Sequence, residues 1–217
     1  MPKLLFIAPI LVAVTGICIV RGVPQGQPND LEELGILSFD TNPPISPQCP
    51  QKRTIPHFRT DSYMGRWYEL ERFESPLQRG DCATADFFLG INGTFNIETT
   101  EFRGGKPTRR VGLAVPASDT CDGRFIVTLP DIPEGDESPN YNVITTDYRN
   151  YAVVYTCTAI GASSKLEFAW IMARRPSLPE KFLVLLKNWL RNIDIDTSSF
   201  RKTNQASCPR FSPKRIS

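Results

Sequence analysis

Residues 146–157 read TDYRNYAVVYTC, and this stretch decides the fold because neither face of the strand it predicts carries a charge. Successive side chains of a β-strand point to opposite faces. One face would hold Tyr151, Val153, Tyr155 and Cys157, and the other Ala152, Val154, Thr156 and Thr158. A sheet with one face in water normally shows charged residues on that face. Both faces of this strand are therefore predicted to be covered.

Seven further runs with strand character surround this stretch, and turn signals separate them. The eight runs are RWYELERF, ATADFFL, TFNIETTEF, RRVGLAV, RFIVTL, YNVITT, YAVVYTCTAI and KLEFAWIMA. Short strands at regular spacing with short connections predict an all-β domain, either an antiparallel up-and-down barrel or a sandwich. The basic segment EFRGGKPTRR is predicted to be a hairpin tip around Gly104 and Gly105.

One helix is predicted after the last strand. Ser177 and Glu180 have the spacing of a capping box, and Pro179 suits a first turn. An apolar stripe follows, made of Phe182, Leu185, Leu186, Trp189 and Leu190. We expect this stripe to pack on the outside of the sheet and to cover Tyr151, Val153 and Tyr155. The small residues of the opposite face would then line an interior with room for a ligand.

Overall composition limits the classes of function. The chain has 217 residues, with 25 Lys and Arg against 23 Asp and Glu, which fits one globular domain with some additional chain. A net charge of +2 without a basic cluster argues against nucleic acid as a partner. The only histidine is His57, so neither a histidine-based triad nor a multi-histidine metal site can be assembled. We therefore expect no enzyme activity, no metal and no cofactor.

The termini predict a secreted protein. Residues 1–22 combine one lysine, an apolar run and small residues, as in a signal peptide, with cleavage after Gly16 or near Gly22. An uncleaved anchor is the alternative. Residues 23–48 contain five prolines and predict a loosely attached arm. No second apolar run of spanning length follows, and residues 211–217 are polar and basic. The mature chain is therefore predicted to lack an anchor.

Cysteines and a sequon support an extracellular location. In an oxidising compartment we expect most of the following residues to be paired: Cys49, Cys82, Cys121, Cys157 and Cys208. Their number is odd, and retention of Cys18 would make it even. Asn92 begins the sequon Asn92-Gly93-Thr94 in a predicted turn, where a glycan would be solvated.

Three stretches together resemble the signature regions of the lipocalins. They are GRWYE at residues 65–69, TDYRNY at residues 146–151, and an arginine after FAWIMA. The signature residues are Gly65, Trp67, Thr146, Asp147, Tyr148 and Arg174. The resemblance covers about residues 49–210, and within the family these motifs are similar to the branch that contains apolipoprotein D and the arthropod bilin-binding and Lazarillo-type proteins.

This resemblance implies an eight-stranded antiparallel up-and-down barrel, closed at one end, with the C-terminal helix against its outer wall. Trp67 would close that end, with Arg174 packed on its ring as a cation–π pair. The resemblance also implies two disulfides, Cys49–Cys157 and Cys82–Cys208. Cys121 has no counterpart in that pattern, and we expect it to bond either to a retained Cys18 or to another chain.

Alternation together with the resemblance predicts the residues that line the barrel cavity. They are Phe87, Tyr141, Val143, Val154, Thr156, Phe168 and Trp170, and each of them alone would also fit an ordinary core. The leading hypothesis is a secreted carrier of a small hydrophobic molecule: by resemblance a bilin, a retinoid, a sterol or a fatty acid. The alternative is an extracellular protein that binds a receptor through its loops or N-terminal arm. An interior without free volume would favour that alternative.

Overall fold

The computed structural model describes residues 49–117, 122–129, 139–160 and 164–209. The predicted signal peptide, the arm at residues 23–48, Cys121 and the tail at residues 211–217 lie outside these ranges. The elements are α1 (Thr60–Tyr63), β1 (Gly65–Phe73), β2 (Asp81–Leu89), β3 (Phe95–Arg103), β4 (Lys106–Pro116), β5 (Arg124–Thr128), β6 (Tyr141–Thr146), β7 (Tyr151–Ile160), β8 (Ser164–Ala173), α2 (Glu180–Arg191), a 3₁₀ turn (Thr197–Ser199) and β9 (Phe200–Lys202).

The eight predicted strands form a closed antiparallel barrel, which confirms the predicted fold class. Strands β2 to β8 pair in chain order, and β1 lies between β8 and β2 and so closes the ring. The ninth strand, β9, was not predicted from the sequence. It has only three residues and pairs with Glu71–Phe73 at the far end of β1, so its signal was too short to recognise.

Strand β7 has two covered faces, as the uncharged stretch indicates. Ala152 and Val154 belong to the core inside the barrel. Val153 and Tyr155 belong to a second core between the barrel wall and α2. A strand buried on both faces cannot solvate a charge on either side, which explains the absence of charged residues from residues 151 to 160.

Helix α2 packs against the outer wall, but two details of its prediction are wrong. The buried residues are Leu183, Leu186 and Leu190, whereas Leu185 is 66% exposed and Trp189 39% exposed. The stripe is therefore rotated toward Leu183. The capping box also does not form, because Pro179 itself occupies the N-cap position and no side chain caps the helix.

Two disulfides fasten the chain ends to the barrel. Cys49 is bonded to Cys157 on β7, and Cys82 on β2 is bonded to Cys208. These are the two pairs that the resemblance implied. Bonds that close long loops restrict the unfolded chain, and each typically stabilises a domain by about 2–4 kcal/mol.

The end of the barrel beside α1 is closed by side chains. Trp67 is fully buried, and the guanidinium of Arg174 lies 3.8 Å from the centre of its ring. Asp147 organises the adjacent β6–β7 turn, because its Oδ1 accepts hydrogen bonds from the backbone N–H groups of Arg149, Asn150 and Tyr151. At the opposite end, Gly104 and Gly105 form the predicted hairpin tip with positive φ angles.

Candidate functional site

A cavity of about 110 Å³ occupies the barrel between the closed end and the opposite, open end. Strand β1 runs from the closed end at Gly65 to the open end at Phe73. The segment that follows, residues 74–80, crosses the open end and is called the mouth loop below. Two of its residues, Leu77 and Gln78, line the cavity, so the mouth loop forms part of the cavity roof.

Aromatic rings fill the barrel below the cavity. Tyr63 of α1 contacts the rings of Phe58, Trp67 and Phe87, with centroid separations of 5.1 to 5.2 Å. Phe95 and Phe125 extend this cluster at 4.7 Å from each other. The hydroxyls of Tyr63 and Tyr141 lie 3.2 Å apart and share a hydrogen bond. Burial raises the pKa of both phenols, so both stay neutral and the floor carries no charge.

The cavity wall contains six of the seven side chains that sequence reasoning placed there: Phe87, Tyr141, Val154, Thr156, Phe168 and Trp170. The rings of Phe168 and Trp170 are stacked at 5.6 Å. The seventh residue, Val143, also points into the barrel, but it is fully buried in the core at the closed end and does not line the cavity. Ile55 packs against that core and donates a backbone hydrogen bond to the Val143 carbonyl, so the chain before α1 fills the space beside Val143.

A chain of hydrogen bonds links three side chains of the cavity near its mouth. Gln78 donates from Nε2 to Glu69 Oε2 at 2.6 Å. The same amide accepts at Oε1 from the indole N–H of Trp170 at 3.0 Å. Glu69 is only 3% exposed. Gln78 therefore links the mouth loop to two residues of the cavity wall.

Buried charges surround this chain of hydrogen bonds. Arg72 is 1% exposed and lies 3.8 Å from Glu69 and 3.7 Å from Glu101. Its guanidinium also donates to the carbonyls of Gln78 and Gly80. Arg110 lies 3.8 Å from Glu101 and donates to the Leu77 carbonyl at 2.7 Å. Two carboxylates and two guanidiniums thus hold the mouth loop over the cavity.

Burial raises the pKa of Glu69 to about 7, although Arg72 and the hydrogen bond from Gln78 act in the opposite direction. Desolvation disfavours the charged carboxylate, and neighbouring Glu101 adds repulsion. Glu69 therefore changes between its neutral and charged forms near neutral pH. It is the one lining residue with a pKa that is both raised and close to neutrality within the described part of the chain.

Sequence reasoning missed Glu69 and Gln78 as cavity residues for different reasons. Alternation from Trp67 would have placed Glu69 on the inner face, but an acidic residue inside a barrel contradicts the usual pattern. Gln78 lies in an irregular loop, where no periodicity exists. The other lining residues that the prediction omitted are Leu77, Ala85, Ile97, Thr99, Arg110, Val127, Leu129, Asn140, Thr158 and Met172.

The cavity lining is mostly aromatic and aliphatic, and it contains neither histidine nor cysteine among the described residues. Over the described ranges, no cluster of three or more His, Cys, Asp or Glu side chains could hold a metal ion. His57 lies before α1 and is exposed, away from the residues that line the cavity. No helix in the described part of the chain is long and apolar enough to cross a membrane.

Comparison with known proteins adds independent findings. The profile of the lipocalin / cytosolic fatty-acid binding protein family matches residues 64–207. Apolipoprotein D of Macaca fascicularis is 32% identical over 170 residues, which cover 76% of this chain and 86% of the macaque protein. The Lazarillo protein of Schistocerca americana is 29% identical over 182 residues, covering 80% and 82% of the two chains. The structure of insecticyanin from Manduca sexta superposes with a TM-score of 0.61 at 22% identity, over 74% of this chain and 87% of insecticyanin.

Proposed function

The chain belongs to the lipocalin / cytosolic fatty-acid binding protein family, whose members include carriers of small hydrophobic molecules, and we propose that it is a secreted carrier rather than an enzyme. Its ligand would be a bilin, a retinoid, a sterol or a fatty acid held in the barrel cavity. The predicted signal peptide and the two disulfides support secretion. The exposed turn at Asn92 would accept a glycan.

The observation that carries this proposal is an interior wall in which aromatic and aliphatic side chains predominate, with polar side chains such as Glu69, Gln78 and Arg110 among them. Phe87, Phe168 and Trp170 face the same cavity. Burial of apolar ligand surface there would contribute about 25 cal/mol for each Å², before the costs of ordering the ligand. Pockets that bind drug-sized molecules have this composition.

The cavity volume favours a second candidate function. About 110 Å³ is less than the roughly 300 Å³ at the lower end of typical small-molecule pockets. A carrier would therefore have to displace the mouth loop when its ligand enters. If the loop stays in place, the protein is better described as an extracellular interaction protein whose loops or arm bind a receptor. A disulfide between chains through Cys121 would fit this second function.

Tryptophan fluorescence tests the carrier function. We expect retinol to quench tryptophan emission saturably at one molecule per chain, because Trp170 lies in the cavity wall. Trp170→Ala should weaken retinol binding by about 5- to 150-fold, corresponding to a buried aromatic contact of about 1–3 kcal/mol. Trp189→Ala is the matched control, since Trp189 lies on the exposed face of α2 and its removal should leave the dissociation constant unchanged.

Extraction of the protein secreted by its native cells supplies the second measurement. Mass spectrometry of the organic extract should find one hydrophobic compound in stoichiometric amount. Absence of such a compound, together with unquenched emission for retinol, a sterol, biliverdin and a fatty acid, would show that the carrier proposal is wrong and would leave the interaction function.

A further inference from the structure

The mouth of the cavity contains a buried acceptor oxygen that no protein group uses. Glu69 Oε2 accepts the hydrogen bond from Gln78, whereas Oε1 has no hydrogen-bond donor among the described residues. Among the described residues, three fully buried side-chain atoms have no hydrogen-bond partner: Arg72 Nε, Glu98 Oε1 and Thr100 Oγ1. Oε1 of Glu69 is not one of them. Glu69 lines the cavity, so a molecule in the cavity can approach its carboxylate.

A buried acceptor without a donor is costly unless water or a ligand supplies one. We propose that Glu69 is the specificity-determining residue of the cavity, and that it selects hydrophobic ligands whose polar end is a hydrogen-bond donor, such as a hydroxyl or a pyrrole N–H, over ligands that end in a carboxylate. This proposal rests on the carrier function proposed above and narrows its ligand class.

The surrounding charges support the same selection. The groups that face Glu69 are Arg72 on its own strand, Glu101 from β3, Arg110 from β4 and the neutral phenol of Tyr141 from β6. When Glu69 is ionised, the two carboxylates balance the two guanidiniums. A ligand carboxylate beside Glu69 would be a third negative charge in a buried site, where like charges repel strongly.

Both guanidiniums already donate to protein acceptors from their terminal nitrogens, and the unpartnered Arg72 Nε is fully buried. Arg72 donates to Thr203 Oγ1 and to the carbonyls of Gln78 and Gly80. Arg110 donates to the Leu77 carbonyl and lies beside Glu101. A ligand carboxylate would have to compete with these acceptors, which are the mouth-loop carbonyls, Thr203 and Glu101, for either guanidinium. Once a ligand has entered, its hydroxyl or N–H would need only Glu69 Oε1 as a partner and would not compete for the guanidiniums.

Retinol and retinoic acid form a suitable pair of probes, because one apolar body carries either a hydroxyl or a carboxylate. At pH 8.5, where Glu69 and the acid are ionised, we expect the full chain to bind retinol at least tenfold more tightly than retinoic acid. Glu69→Gln should reduce this preference to less than threefold, because the side chain keeps its shape but loses its charge. A hydrogen bond to a charged acceptor accounts for about a tenfold to hundredfold effect.

Glu71→Gln is the matched control. Glu71 is a buried carboxylate on the same strand, but it faces α2, where Lys187 lies 3.0 Å away. It should keep the full preference for retinol. A measurement on the unmutated protein avoids any folding defect of the variants: retinol does not titrate, so its affinity should rise as pH increases from 6 to 8.5 and Glu69 becomes charged.

The outcomes separate the two proposals. Failure of both probes to bind, together with unquenched emission for a sterol, biliverdin and a fatty acid, would contradict the carrier function itself. Binding of both probes with equal affinity at pH 8.5, or tighter binding of retinoic acid, would show that Glu69 does not select the ligand end while leaving the carrier function intact. Loss of selectivity in Glu71→Gln, or a retinol affinity independent of pH, would overturn the proposal equally.

Discussion

Replacement of Arg174 by methionine should strongly destabilise the closed end of the barrel. The guanidinium donates hydrogen bonds to four backbone carbonyls, those of Ser62, Tyr63, Arg66 and Tyr148, at 2.9 to 3.2 Å. It also stacks on Trp67. These contacts connect the continuous segment from α1 to the start of β1 with the β6–β7 turn, so Arg174 joins two parts of the chain that are distant in sequence.

The expected loss can be calculated from these contacts. A hydrogen bond from a charged donor contributes about 1.5–3 kcal/mol, but water can replace part of it because Arg174 is half-buried. With about 0.5 kcal/mol left for each of the four bonds and about 1–2 kcal/mol for the cation–π contact, Arg174→Met should lower the free energy of unfolding by about 3–4 kcal/mol. Because methionine keeps the apolar part of the side chain, the decrease in the free energy of unfolding measures the contribution of the guanidinium.

Urea unfolding followed by circular dichroism measures this change, with disulfides intact. Arg175→Met is the matched control. Arg175 is the next residue in sequence and is exposed, so its replacement should change the free energy of unfolding by less than about 0.5 kcal/mol. A loss below 1 kcal/mol in Arg174→Met would refute the reasoning and would mean that Trp67 closes the barrel without its cation.

Two further predictions concern ionisation and the cysteines. The pKa of Glu69 is raised in the folded state, so folding binds protons and its contribution to stability is present below about pH 4.5 and lost by about pH 7. The free energy of unfolding should fall by on the order of 1–3 kcal/mol across that window in urea titrations, and Glu69→Gln should remove this part of the slope; an unchanged slope would contradict the assignment. Cys121, which lies outside the described residues, should form a bond beyond the two barrel disulfides, because Asp119 and Asp122 disfavour a reactive thiolate and an odd cysteine finds a partner. Non-reducing peptide mapping with N-terminal sequencing should find it joined to Cys18 or to a second chain, and an alkylatable Cys121 in a monomer that starts after Cys18 would show the prediction to be wrong.

The barrel could be predicted because each strand carries its own local signal. Two-residue alternation in β7 separates Val153 and Tyr155 from Ala152 and Val154, and the structure places these pairs in different cores. In a β-strand, the face on which a side chain lies is set by its position in the two-residue alternation. This position can be read directly from the sequence. The same alternation gives the inward direction of Phe168 and Trp170.

The features that alternation missed depend on contacts between distant segments. The exposed side of α2 was misassigned because Leu183 and Leu185 both fit an apolar stripe, and only the position of the helix on the wall decides between them. The mouth loop has no period, and Gln78 acquires its role from Glu69 and Trp170, which are 9 and 92 residues away. Cavity volume likewise depends on how far that loop enters the barrel.

The closed end and the mouth of the barrel differ in how completely their buried polar groups are paired. We expect the closed end to determine stability and the mouth to determine ligand recognition. At the closed end, neutral phenols, stacked rings and a satisfied arginine form a complete core, as a folded domain requires. At the mouth, Glu69 and Arg72 are buried with polar atoms that lack protein partners. Departures from complete pairing are expected where a site must accept another molecule. Substitutions at Arg174 should therefore change the unfolding energy without changing which ligand end is preferred, whereas Glu69→Gln should change that preference in a barrel that remains closed.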